Sequence, residues 1–259
     1  QDQVGQRSNL VHRRGVRVTQ LWVEDNRCCG VQVLDGPYLY WIAARAVVLA
    51  TGGGGHLFAN TTNPPQACGE GVALAWRAGA AIEDLEFVQF HPTALHINNG
   101  PCFLISEALR GEGAVLLDQY GHSPVSDLLG ADLAARDQVS RALVKAMEHQ
   151  KVDYMGLDIT PIPSAQFEKR FPFILQRCRE LGLDPIRNLI PVAPAAHYWM
   201  GGVATDLNAK TTLEGLYAVG EIACTGLHGA NRLASNSLME CLVFARKMAQ
   251  IELTKDNLF

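Results

Sequence analysis

Between residues 16 and 43, apolar side chains fall two apart: Val16 and Val18, then Val31 and Val33, then Tyr38, Tyr40 and Ile42, with Asp25-Asn26 and Asp35-Gly36 between the groups. A period of two puts alternate side chains on one sheet face, and the Asx and glycine breaks supply turns, so the pattern predicts a three-stranded antiparallel meander. Ala46-Val47-Val48-Leu49-Ala50 then runs without alternation up to Thr51 and four glycines, Gly52 to Gly55. A continuous apolar run of strand length predicts a strand covered on both faces, as in parallel sheets. From Gly69 to Ala81, Val72, Leu74, Ala75, Trp76 and Ala78 recur at helical spacing and predict a helix packed on that sheet.

From Leu85 to about Ala196 the texture is irregular and reads as loop-rich, with two helices. One follows Arg136-Asp137, where Val139, Leu143 and Met147 fall four apart; the other starts near Pro172, a residue suited to a first helical turn, and stops at Gly182. Strand texture returns in Gly215-Leu216-Tyr217-Ala218-Val219-Gly220-Glu221. A long helix from about Ser237 to Thr254 follows, with Leu238, Leu242, Ala245, Ala249 and Leu253 on one face and a capping box between Ser237 and Glu240. The expected fold class is α/β with an α+β insert: a partial parallel-sheet domain with an antiparallel meander, over 1–84 and 199–259, interrupted by a second domain over 85–198.

Composition narrows the function. The chain has 259 residues, 48% of them hydrophobic and 19% charged, with a net charge of −4, which excludes a disordered or collagenous chain. The absence of a basic block argues against a nucleic-acid partner. No stretch nears the ~20 apolar residues of a membrane span, and the arginine-containing start is unlike a signal peptide, so the expected location is the cytoplasm or an organelle matrix. Seven cysteines, at 28, 29, 68, 102, 178, 224 and 241, form no CxxC pair. They are expected to be reduced and mostly buried, with neither a disulfide framework nor a metal site.

Two kinds of segment could carry chemistry. The strand-to-glycine corners Ala50-Thr51-Gly52-Gly53 and Val219-Gly220-Glu221 fit either a cofactor at the carboxyl ends of parallel strands or tight turns that only glycine tolerates. Histidines and arginines between apolar elements, in Gln89-Phe90-His91-Pro92-Thr93, Ser106 to Gly113, Arg136-Asp137, His197 to Gly202 and His228 to Arg232, are candidates for holding carboxylates. Taken singly, each could equally be a structural arginine or histidine.

Together, Leu85-Glu86-Phe87-Val88-Gln89-Phe90-His91-Pro92-Thr93, Ser106-Glu107-Ala108-Leu109-Arg110-Gly111-Glu112-Gly113, Ala135 to Arg141 and Gly229-Ala230-Asn231-Arg232-Leu233 resemble the succinate dehydrogenase, fumarate reductase and L-aspartate oxidase flavoproteins. The likeness runs from about residue 46 to 250. Within that family, Pro194 to Gly202, Cys224 to His228 and Ala234 to Cys241 are similar to the L-aspartate oxidase branch; the other branch tends to show glycine where this chain has Ala234 and Ser235.

The resemblance implies that His91, His197 and Arg232 grip the two carboxylates of a C4 dicarboxylate, with Gln89 and Ser106 beside them. It implies that Arg136 donates a proton in fumarate reduction and that Glu107 and Arg110 form its relay. Non-covalent FAD would be held by Ala50, Thr51, Gly52, Glu70, Glu221, Ser237 and Leu238, so the two outer segments are expected to be one FAD-binding domain and 85–198 a capping domain. The implied activity is oxidation of L-aspartate to iminoaspartate, with reoxidation by oxygen or fumarate, feeding quinolinate synthase in NAD biosynthesis in the cytoplasm or a plastid stroma. The alternatives are a fumarate reductase or succinate dehydrogenase flavoprotein subunit, or a redox-silent fragment that binds dicarboxylate at most. The family's Gly-x-Gly-x-x-Gly loop and C-terminal helical domain have no counterpart here, so the expectation is the central part of a longer enzyme.

Overall fold

A computed structural model of the protein describes residues 7–97, 102–251 and 253. Strands β1 (Val16–Glu24), β2 (Arg27–Asp35) and β3 (Tyr38–Ala43) pair antiparallel in that order, as their alternation requires. Asp25 and Asn26 make the first turn with φ of 46° and 61°, the left-handed conformation that two-residue hairpins need. After β4 (Val47–Leu49) come α1 (Glu70–Arg77) and β5 (Ile82–Glu83). Val48 is 44% exposed, so the apolar run of β4 is not covered on both faces as its composition predicts.

The stretch expected to be loop-rich is instead built on a five-stranded antiparallel sheet. It contains β6 (Val88–Leu95), β7 (Phe103–Leu104), α2 (Ala108–Gly111), β8 (Val115–Leu117), α3 (Arg136–Gln150), β9 (Met155–Asp158), α4 (Ser164–Arg170), α5 (Pro172–Glu180) and β10 (Ile190–Trp199). The sheet order is β7-β6-β10-β9-β8. Two features hide these strands in the sequence. Residues 91–95 of β6 are all buried, which removes the alternation, and Pro92 and Pro194 interrupt the two central strands. Both prolines fall where the β6–β10 register slips between Ala193 and Ala195, the irregularity at which a missing N–H costs no ladder bond. Leu95, Leu116, Leu143, Leu157, Phe167 and Ile190 form the core of this region, where α3, α4 and α5 cover the sheet.

The chain then adds β11 (Gly202–Ala204), β12 (Leu216–Ala218), β13 (Ala223–Cys224) and α6 (Asn236–Met248). β12 runs parallel to β4, and β11 lies between β13, parallel, and β5, antiparallel. A second core of Leu21, Leu49, Val72, Val203, Leu216 and Ile222 joins the meander, α1 and these strands. The α6 expectation needs three corrections. It opens after Ser235, whose φ is 64°, with no side-chain cap, because Glu240 points inward and accepts from Thr225 and His228 instead of closing a capping box. Its predicted apolar face is outward, with Leu238 and Leu242 67% and 66% exposed, while Phe244 and Glu240 are buried. The helix ends at Met248; Thr254, its expected end, lies outside the described residues.

All seven cysteines are free, but only Cys28, Cys178 and Cys224 are buried, and Cys241 is exposed. Among the described residues no helix is long and apolar enough to cross a membrane, and no His, Cys, Asp and Glu cluster could hold a metal ion.

Gly201 joins β10 to β11 where a Cβ would sit 2.0 Å from the Asp84 carbonyl oxygen, a backbone atom that cannot swing away. Gly111 has open space around it and ordinary helical geometry. Gly201→Ala is expected to lower the unfolding free energy by about 1–3 kcal/mol. Gly111→Ala should leave it unchanged or raise it by about 0.5–1 kcal/mol. Urea unfolding of both variants measures the contrast, and equal effects would contradict the packing described at Gly201.

Candidate functional site

A cleft with a volume of about 820 Å³ opens between the ends of β6 and β10, α2, the start of α3 and the start of α6. His91, Ser106, His197 and Arg232 line it; so do Arg136 and Glu107, and on the α6 side Glu221, Ser237 and Leu238. Arg110 and Gln89 stand behind the wall, and Ala50, Thr51, Gly52 and Glu70 lie off the cleft.

Register slips set the two histidines. One separates Ala195, opposite His91, from Ala193; the next makes His197 the extra residue between Ala196 and Tyr198. A bulge turns a side chain out of the pleat, and here the two rings meet edge to face with centroids 5.2 Å apart. The Thr93 backbone N–H donates to His91 Nδ1 at 3.2 Å, while the Thr93 hydroxyl is directed to the Ile105 carbonyl at 2.9 Å. His91 therefore carries its proton on Nε2 as a donor. Burial, followed by the charges of Arg136, His197, Arg110 and Arg232, pushes its pKa down to about 2. The Thr62 hydroxyl lies 2.8 Å from His197 Nδ1. Burial, then Arg136 and Arg232, lower the His197 pKa to about 4 against the opposing pull of Glu107. Both rings are neutral near pH 7.

Arg136 opens α3, which Ser140 ties to β6 through the Phe90 carbonyl at 3.1 Å. Its Nε and Nη2 both donate to Glu107 Oε2, at 3.1 and 2.8 Å, and its Nη1 donates to Gln89 Oε1 at 3.0 Å. The other Glu107 oxygen faces Arg110 Nη2 at 3.4 Å. Arg110 also donates to the Asp132 carbonyl, and burial lowers its pKa. The three residues thus form a row, with one carboxylate between two guanidiniums. Gln89 is 3% exposed and donates to Asn231 Oδ1 and the Arg232 carbonyl, at 2.8 and 2.7 Å, while Asn231 donates to Asp137 at 2.9 Å. Gln89 and Asn231 therefore tie the Arg136 helix to the Arg232 loop from behind.

Arg232 is 6% exposed and forms no ion pair among the described residues. Its Nη1 donates to Ser237 at 3.3 Å, its Nε is buried without a partner, and its guanidinium carbon lies 4.3 Å over the Tyr198 ring centroid. Burial lowers its pKa, yet an arginine stays charged at neutral pH. A buried cation without an anionic partner is costly, and the cleft beside it has room for one. Sequence reasoning assigned no role to Tyr198 and Asn231, although both lie inside motifs it singled out; their contacts run across the fold rather than along the chain.

The parallel pairing of β4 with β12 sets the two glycine corners side by side, closed by the Val219 N–H to the Leu49 carbonyl at 2.9 Å. A Cβ on Gly53 would sit 2.4 Å from Glu221 Oε1, and one on Gly71 would sit 2.0 Å from Thr51 Oγ1, so these glycines serve close packing. Gly52 differs: its φ is +76° and the space beside it is open, which leaves backbone for a ligand to approach. Glu221 Oε1 accepts the Trp199 N–H at 2.9 Å, and burial raises its pKa. Glu70 points to the surface and pairs with Arg17 at 2.7 Å.

The chain matches the family described as FAD binding domain over residues 6–238. It is 51% identical over 257 residues to an L-aspartate oxidase of Nostoc sp., covering 96% of this chain and 44% of that protein. With an L-aspartate oxidase of Synechocystis sp. the identity is 53% over 231 residues, covering 87% and 42%. Among solved structures, E. coli quinol fumarate reductase FrdA superposes with a TM-score of 0.82 at 36% identity, over 90% of this chain and 43% of that one. The chain therefore spans less than half the length of these relatives. On sequence and fold together, it belongs to the FAD-binding succinate dehydrogenase and fumarate reductase flavoprotein family, in which its curated relatives are L-aspartate oxidases.

Proposed function

We propose that this chain serves the FAD-dependent oxidation of L-aspartate to iminoaspartate, the product consumed by quinolinate synthase in NAD biosynthesis. The observation that carries it is the buried, unpaired Arg232 facing a cleft with two neutral imidazoles. Arg232 binds one carboxylate of the substrate through its free guanidinium edge. His91 Nε2–H and His197 receive carboxylate oxygens as neutral donors, and Ser106 sits beside them. Gln89 acts from behind by holding Arg136 and the Arg232 loop in register. The match to L-aspartate oxidases favours this branch, and so does Ser235, which holds a φ of 64° where the dehydrogenase branch tends to show glycine.

The residues of the corners fit FAD: the open backbone at Gly52, the Glu221 carboxylate on the cleft wall, and Ser237 and the exposed Leu238 at the start of α6 would hold it non-covalently. Ala50 and Thr51 would approach it through the backbone of the first corner, and Glu70 would have to leave Arg17 to do so. Bound FAD would supply the two-electron acceptor for the substrate carbon and pass the electrons to oxygen or fumarate. In this reading 1–84 and 199–259 form the cofactor domain and 85–198 covers the substrate. Arg136 delivers a proton when fumarate is the acceptor; Glu107, bonded to both arginines, restores it by way of Arg110. That row also fits a fumarate reductase or succinate dehydrogenase subunit, the second reading, which the solved structural relatives favour. The location proposed is the cytoplasm or a plastid stroma.

Anaerobic addition of L-aspartate to the FAD-loaded protein should bleach the flavin band, and succinate should not; the reverse pattern would assign the dehydrogenase branch. Arg136→Lys should cut fumarate reduction by about 10²–10⁴-fold, because a lysine has neither the fork nor the contact to Gln89. Calorimetry should show succinate still binding to that variant, and unchanged turnover would remove Arg136 from its role. His91 resists protonation when folded but takes a proton near pH 6.5 when unfolded. Its contribution is therefore fully present above pH 6.5 and falls as the pH drops towards 2, by about 1.4 kcal/mol per pH unit. His91→Gln should flatten the stability profile between pH 6 and 4 by that slope; parallel profiles in urea unfolding would show that His91 is not held neutral.

A further inference from the structure

Against Tyr198, whose ring lies under Arg232, is a buried polar group that the clamp does not use. Glu240, 3% exposed, accepts from the Thr225 hydroxyl at 2.6 Å and from His228 Nε2 at 2.8 Å, and the Tyr198 hydroxyl donates to it over a longer 3.4 Å. The His228 ring meets the Tyr198 ring edge-on, with centroids 5.4 Å apart at 88°. Tyr198 therefore has its ring under the Arg232 guanidinium and against His228, and its hydroxyl on a carboxylate.

His228 Nδ1 is buried and has no partner. Glu240 is thus held by three side chains, Thr225, His228 and Tyr198. Tyr198 links the group to Arg232: its hydroxyl reaches Glu240 and its ring lies under the guanidinium. A direct Glu240–Arg232 ion pair would occupy the fork that a substrate carboxylate needs. No such pair forms among the described residues, and Thr225 and His228 hold the carboxylate instead.

We infer that Glu240 is a positioning residue for dicarboxylate binding: held by His228 and Thr225, it acts through Tyr198, whose ring carries the Arg232 guanidinium, and leaves the guanidinium edge open to the substrate. A hydroxyl bonded to an anion enriches the ring in electron density, which strengthens its hold on the cation above it. The inference rests on the carboxylate-clamp reading of the cleft and adds to it the source of Arg232's order.

The test is succinate binding by calorimetry to the FAD-loaded protein, with aspartate oxidation measured in parallel. Glu240→Gln keeps the shape and removes the charge; it should raise the succinate Kd and the aspartate KM about five- to tenfold while kcat stays within about twofold. If that variant loses its flavin or its fold, Tyr198→Phe replaces it, cutting the link while keeping the ring, with an expected rise of about two- to fivefold. In an Arg232→Lys background, where the planar cation is gone, the rise should vanish. A loosened fold would raise Kd equally in both backgrounds, and that result, or an unchanged Kd with Arg232 present, overturns the inference. Wild-type protein that binds succinate but leaves aspartate unoxidised fails the oxidase reading alone. Wild-type protein that binds no succinate overturns the clamp and this inference together.

Discussion

Positive charge held out of water organises this molecule. Arg110, Arg136 and Arg232 are all buried around one cleft, and the carboxylate bonded to the first two is Glu107. An isolated buried guanidinium is expensive, so each must be matched by hydrogen bonds, by a π face or by an incoming anion. Arg136 and Arg110 share Glu107, and Arg232 lies over Tyr198. Burial, reinforced by the neighbouring cations, keeps His91 and His197 neutral, which makes them donors rather than further charges. A cleft lined by buried cations and neutral donors attracts anionic groups.

That arrangement needs a rigid frame, and the five-stranded sheet provides one. Slips of register on β6 and β10 turn His91 and His197 towards each other, and the prolines that would spoil regular strands sit at the first slip. Gln89 and Asn231 then link the strand, the α3 terminus and the Arg232 loop by side-chain hydrogen bonds. Gln89, the buried member of that link, bonds both arms, so a shift of either arm must break a bond that water cannot readily replace.

The glycine corners are built differently. Parallel strands β4 and β12 end together, and glycine at 53 and 71 lets the corners close on Glu221 and Thr51. Only Gly52 keeps open backbone there. The outward Leu238 and Leu242 show that α6 presents apolar surface next to this corner rather than burying it in the described core.

The meander, the helices at 70, 136 and 172, and the residues that gather at the cleft were legible along the chain because they depend on local period and on contiguous motifs: His91, Arg136, His197 and Arg232 each lie in a short string of specific residues. The central sheet was not legible, since burial on both faces erased its alternation and bulged prolines resembled loops. Nor was the inward turn of Glu240, because Ser237 and Glu240 have capping-box spacing whether or not a cap forms, and the contacts to Thr225, His228 and Tyr198 come from other segments. The same holds for Gln89 as a strut and for the tautomer of His91. Residue types and spacing determine which groups can hold a carboxylate; only packing across distant segments decides which are neutral, which are already partnered, and which one is left facing the cleft.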